Sequence, residues 1–474
     1  MLFTQLNFLV FAALFFPLYF LLSGRLRDLF VVIASLFFYA WWDWRFVFLL
    51  LATVTIGLWT GERVHAHAGT PRARVILAAS IVAQLGLLGF FKYFNFFAQS
   101  LSLMLHGLGM RADWVTLNIV LPVGISFYTF HPMSYTIDIY RGKLAPQPSW
   151  LKFAEFVTTW PVLVAGPIIR ASALLPQLRT KRSFTWDNLV RGLELALIGY
   201  FLKVAVADNL ALYADRVFTS PQSVNGLTLV IGVVFFAFQI YGDFAGYSLI
   251  AIGMGRIMGV DFGRNFNYPY FATSFSDFWL RWHISLSSWL RDYLYISLGG
   301  NRVGKLRTYA NLMATMLLGG LWHGANWTFV IWGALHGFYL ILQRVFEAPL
   351  RWIVRTARIP GPLARLLAGS IVFTLVCVAW IFFRARDTRS AVHILTHLFT
   401  ADYALAGIVS LFQVMKGMIL ILVLLVGESL AAWPRTAVAI RQSRAIRFSA
   451  ALMLLWILAL AGNFDGQRFI YFAF

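Results

Sequence analysis

One cysteine, Cys377, occurs in 474 residues, so neither an internal disulfide framework nor a cysteine-based zinc site is open to this chain. Charge is also scarce: 12% of residues are Asp, Glu, Lys or Arg, against roughly 25% in a soluble domain. Neither G-x-S-x-G nor H-E-x-x-H is present, which removes the sequence support for a serine hydrolase elbow and for a zincin helix. There is no internal repeat, low-complexity linker or long polar stretch. Residues 1–474 therefore read as a single membrane domain, with any chemistry inside the bundle or at its faces.

What fills the sequence instead is apolar: 60% hydrophobic residues and a mean hydropathy of +0.73. Runs near the length that spans a bilayer recur at 4–22, 29–50, 75–98, 114–130, 189–207, 227–255, 308–342, 366–383, 416–433 and 447–463. They predict an all-α, polytopic membrane protein with roughly ten or more crossings and re-entrant pieces. The first run reads as a retained helix rather than a cleaved signal, because no Lys or Arg precedes Arg25 and further apolar spans follow directly.

The 39 basic residues outnumber the 19 acidic ones for a net charge of +20, but they sit in short loops, as membrane orientation requires, and do not indicate nucleic acid. Four clusters are placed on the cytoplasmic side: Arg63, Arg72 and Arg74; Arg170, Arg179, Lys181, Arg182 and Arg191; Arg344, Arg351, Arg355, Arg358 and Arg365; and Arg435, Arg441, Arg444 and Arg447. The N-terminus and Phe474 then fall on the outer side. Arg384, Arg386 and Arg389 also fall there and run against the scheme unless their segment is interfacial.

Two segments depart from plain spans. In 274–302, Phe275, Trp279, Trp282, Leu286, Trp289, Tyr293 and Ile296 recur at helical spacing, predicting one apolar stripe that Gly299-Gly300 ends. Residues 308–342 would reach about 53 Å as one helix, too long for a simple crossing, and Gly319, Gly320 and Gly324 predict a bend or a close backbone approach there.

The second segment carries "GGLWHGANW", 319–327, within a stretch from Tyr309 to Gln343 that holds no acid, lysine or arginine. A buried imidazole must be hydrogen-bonded or in use, so His323 is either a satisfied structural residue or a general base able to take a proton from an attacking hydroxyl. His283 is a weaker candidate, equally explained by packing. His336, 13 residues after His323, would not share its site on one continuous helix. His393 and His397 stand at i, i+4 without an obvious third ligand, and no metal site is expected. "GGNRVGKL" imitates a phosphate loop, but Leu306 replaces the magnesium-binding Ser/Thr and no strand precedes it. Arg302, Lys305 and Arg307 remain as an exposed anion site or a lipid-headgroup contact.

Several of these stretches together resemble the membrane-bound O-acyltransferases: "ASLFFYAWW" (34–42), "LPVGISFYTFHPMSYTIDIYRG" (121–142), "AGPIIRASALLPQL" (165–178), "FQIYGDFAGYS" (238–248), "FWLRWHISLSSWLRDYLYISLGGNR" (278–302), "GGLWHGANWTFVIWGALHG" (319–337) and the terminal "FIYFAF". The similarity is greatest to the bacterial alginate O-acetyltransferase branch and more distant to D-alanyl-teichoic-acid transferases. It implies an all-α ring of about 11 transmembrane helices, with re-entrant and interfacial helices around a central tunnel. It also implies that His323 is the essential histidine and His283 a second polar site residue. The donor would be a cytoplasmic thioester, acetyl-CoA above all; charge and position alone, not the resemblance, assign its phosphates to Arg302, Lys305 and Arg307. The acceptor would be an envelope polysaccharide or exopolysaccharide, reached through periplasmic acetyl-transfer proteins at the inner membrane. His131-Pro132, Val162 and Leu249 depart from the family pattern, where acceptor or partner choice would be encoded. D-alanyl transfer from a carrier protein, or transport of an acylated or sugar-linked substrate, remain the alternatives; no broken-helix pair in matching halves supports the latter.

Overall fold

The computed structural model describes residues 1–110, 117–164, 166–400, 410–464 and 469–470. Expectations for 114–116, for Ala165 of the "AGP" motif, for the last four residues of "FIYFAF" and hence for the placement of Phe474 lie outside the described residues, as does the side chain of Arg441.

Every regular element among the described residues is helical. In a bilayer each backbone N–H and C=O must be paired within the segment, which a helix achieves without leaving an edge. Among the described residues, eight helical stretches are long and apolar enough to cross: Phe46–Ala66, Pro71–Gly107, Trp186–Thr219, Gly226–Ile257, Trp327–Thr356, Gly361–Arg384, Leu411–Ala432 and Arg444–Ala461. This is fewer than hydropathy alone predicts, and the differences have local causes. The first run forms the shorter helix Leu6–Leu21. The run 29–50 divides at residues 41–45, between Gly24–Ala40 and Phe46–Ala66. The described part of 114–130 is no span: Gly124, at φ +78°, turns the chain into Ile125–Tyr128, and Phe130–Tyr140 follows.

The chain divides into two compact units, residues 1–193 with 251–263, and residues 194–250 with 264–474. In the first, the fully buried Trp160 is ringed by Phe8, Phe11, Phe15 and Phe38 at centroid distances of 5.2–5.7 Å. Beside this core, Asp28 and Glu155 are bound by Lys152 and Arg182 at 2.6–3.3 Å. Each buried carboxylate faces two cations, the condition under which burying charge is tolerable.

In the second unit, the bend expected in 308–342 is a complete break. Helix Lys305–His323 ends, residues 324–326 run extended or capped, and Asn326 accepts from the backbone N–H of Thr328 at 3.1 Å to start Trp327–Thr356. The two helices fold back on each other at Gly320 and Gly333. A Cβ on Gly320 would press on the Phe329 carbonyl and stand 3.1 Å from Gly333 Cα, and one on Gly333 would meet the Met316 carbonyl. Only glycine permits this approach.

Gly320→Ala should therefore cost about 1–3 kcal/mol of stability, while Gly86→Ala, whose added Cβ meets nothing within 4 Å, should be neutral or slightly stabilising. Thermal unfolding of both variants in detergent checks this; equal midpoints would contradict the crossing.

Candidate active site

The stripe expected over 274–302 is not one helix. Phe275–Arg281 stops, Ile284–Trp289 restarts, and a wider π-helical turn, Leu290–Tyr295, completes the segment. Phe275, Trp282, Leu286, Trp289 and Tyr293 are buried as their spacing requires, but Ile296 is 55% exposed. The break falls at His283, whose φ of +42° lies in the left-handed region, a conformation costing about 1–3 kcal/mol away from glycine. Gly299 and Gly300 then turn the chain at φ +106° and +55°, ending the segment where expected.

Asn265 pays back that strain. Its backbone carbonyl accepts from Ile284 N at 2.8 Å. Its Oδ1 accepts from Ser285 N at 3.2 Å and Ser285 Oγ at 2.8 Å, and lies 3.2 Å from His283 Nδ1; its Nδ2 donates to Ser248 Oγ at 3.0 Å. Because the amide oxygen faces His283, Nδ1 must carry the ring proton, which makes Nε2 the basic nitrogen of the neutral imidazole. Asn265 was not singled out from the sequence; it lies 18 residues before His283 with no local pattern joining them.

His323 is the last residue of Lys305–His323 and is 3% exposed. Its ring packs against Trp322, Trp332 and Phe383 at centroid distances of 4.9, 5.0 and 5.3 Å. The indole of Trp322 also lies 6.1 Å from His283, so the two histidines flank one aromatic ring. His283 completes its surroundings with Phe244 at 4.6 Å. The structure also corrects the separation expected of His323 and His336. That expectation assumed one continuous helix; across the hairpin, both rings pack on Trp332, at 5.0 and 4.8 Å.

The basic candidates do not converge equally. Lys305 opens the helix that ends at His323, about 27 Å away along its axis. It lines a cavity of about 540 Å³ together with Asn301, Gly304, Thr308, Tyr309, Arg344 and Val345. Arg302 and Arg307 are exposed and do not line it. Arg344 does, and its Nη2 donates to Asn301 Oδ1 at 3.3 Å. It is the first charge after the uncharged stretch, and the hairpin carries it back to the start of that stretch. Elsewhere, His393 and His397 stack at 4.0 Å, but no group of three or more His, Cys, Asp or Glu side chains suited to a metal occurs among the described residues. Of the positions expected to depart from the family pattern, His131 is buried and its Nε2 accepts from Ile169 N at 3.4 Å, Val162 is buried, and Leu249 is half-buried.

Two buried histidines flank one tryptophan, and the comparisons give the chain a class. Residues 140–384 match the model of the membrane-bound O-acyltransferase family, and the chain belongs to that family. It is a multi-pass membrane O-acyltransferase. The chain is 42% identical over 410 residues to a probable alginate O-acetylase AlgI of Azotobacter vinelandii, covering 84% of this chain and 78% of that protein. It is 36% identical over 423 residues to a peptidoglycan O-acetyltransferase of Helicobacter pylori, covering 83% and 78%. To a teichoic acid D-alanyltransferase of Bacillus subtilis the identity is 27% over 284 residues, 57% of this chain and 70% of that protein. His283 and His323 both lie inside the matched family segment.

Asn265→Leu, nearly equal in volume, strands the donors of Ser285 and His283. It should cost about 1–3 kcal/mol and reduce acyl transfer. Thermal midpoint and turnover, measured on the same preparation, check this; wild-type values for both would show that His283 is held by other contacts.

Proposed function

We propose that the chain moves an acetyl group from a cytoplasmic thioester, acetyl-CoA, across the inner membrane for O-acetylation of an envelope polysaccharide or exopolysaccharide such as alginate. Residues 1–474 act as one catalytic membrane domain, and both termini face the periplasm. The observation carrying this reading is the shared Trp322, flanked by His323 and by the strained, Asn265-held His283. The 36–42% identity to acetyl-transferring relatives favours acetyl over D-alanyl.

The reaction needs a hydroxyl to lose its proton as it attacks a thioester carbonyl. His323 takes that proton as general base; the new C–O bond forms, the C–S bond breaks, and the thiolate receives the proton from the imidazolium. The acceptor hydroxyl belongs to the polysaccharide or to a periplasmic acetyl-transfer protein that relays the group. His283 keeps its Nδ1 proton on Asn265, so its Nε2 orients the reactants by accepting a hydrogen bond. Stabilisation of an oxyanion by this ring would require it to be protonated.

The donor's phosphates are assigned to the basic end of the hairpin. Lys305 and Arg344 face the cavity there, the positive end of the helix dipole adds to their field, and Arg302 and Arg307 supplement it from outside.

Two measurements test this. In a deletion strain, wild type should restore the O-acetyl ester of envelope polysaccharide and His323→Ala, at equal membrane abundance, should not; equal restoration returns His323 to a structural role. Reversing both cavity charges, Lys305→Glu with Arg344→Glu, should raise KM for acetyl-CoA roughly tenfold or more with kcat little changed. The KM for S-acetylpantetheine, which lacks the phosphates, should stay constant. A parallel rise for both substrates would remove the phosphates from this cavity.

A further inference from the structure

His336 has no place in the mechanism above, yet it is the histidine hardest to explain by packing. It is fully buried in Trp327–Thr356, and neither ring nitrogen has a hydrogen-bond partner among the described residues. Phe278 stacks on it at 5.9 Å and 10°, with Trp279 at 5.1 Å, Trp332 at 4.8 Å and Tyr339 at 5.9 Å completing an aromatic box. The indole nitrogens of Trp279 and Trp332 are likewise buried without a partner among the described residues. Each such nitrogen carries an uncompensated desolvation cost of about 1–3 kcal/mol. An apolar side chain in this box would carry no such cost, so burial among aromatic rings does not by itself account for a histidine here.

The donor balance indicates what the box is built to meet. A neutral imidazole offers one N–H and one lone pair, and each indole offers an N–H alone. That makes three donors against one acceptor, which suits a group rich in acceptor lone pairs and without protons, as a carbonyl oxygen is. The box is continuous with the transfer site, because Trp332 also packs on His323.

We propose that His336, with Trp279 and Trp332, forms a polar subsite that receives the acyl carbonyl of the thioester donor, making His336 a substrate-contacting residue of the transfer site. This rests on the acyl-CoA reading above, and two donor analogues separate the two ideas. Acetonyldethio-CoA keeps the carbonyl but cannot transfer it; S-ethyl-CoA lacks the carbonyl.

In detergent, the ketone should raise the thermal midpoint of the wild-type protein more than the thioether does. His336→Phe should be as stable as wild type or more so without ligand, should lose the preference for the ketone, and should lose about tenfold in kcat/KM, the worth of one hydrogen bond. His336→Gln, which retains a donor and an acceptor, should recover part of both. If His336→Phe keeps the preference for the ketone and wild-type kcat/KM, or if wild type responds equally to both analogues, the subsite is overturned while the acyl-CoA reading stands. If neither analogue shifts the wild-type protein, the acyl-CoA reading fails, and this subsite with it. A lower midpoint for unliganded His336→Phe, restored by Gln with no change in ligand preference, would make His336 a structural residue.

Discussion

The site depends on two helices touching backbone to backbone. Gly320 and Gly333 lie where Lys305–His323 and Trp327–Thr356 cross, and a side chain at either would drive them apart. Most of what matters for function follows from this contact. It brings Trp332 and His336 from the second helix against His323 at the end of the first. It also brings Arg344 beside Lys305 at the other end of the hairpin. One short loop, 324–326, thus gives a single hairpin both a histidine end and a basic end.

The second constraint is local and costly. His283 is held in a left-handed conformation between two short helices, and Asn265 repays part of that cost with hydrogen bonds to the backbone and side chains around it. The break aims the imidazole away from the face it would occupy in a continuous helix and fixes which nitrogen is protonated. Strain of this kind persists where the surroundings over-determine a geometry, a condition met at active sites.

Much of this was legible in the sequence. The membrane class follows from hydropathy, and the glycines of 319–324 mark a bend or a close backbone approach, though not that the chain folds back there. The burial of Phe275, Trp282, Leu286, Trp289 and Tyr293 follows from their spacing. The kink at His283 was not legible: the apolar period runs unbroken through it, and its cause, Asn265, acts from another segment. The pairing of Lys305 with Arg344, and of His323 with His336, also depends on the hairpin, which periodicity reads as one long helix. Local pattern gives which faces are buried; it does not give which distant residue satisfies a particular nitrogen.

The central claim is that His283 and His323, joined through Trp322, form one catalytic unit. A double-mutant cycle on acetyl transfer tests it most directly, with His283→Ala, His323→Ala and the combined variant measured at matched membrane abundance. Residues that act as a unit are strongly non-additive, so the double variant should be scarcely slower than the slower single variant. Losses that multiply, as for independent positions, would contradict a shared site.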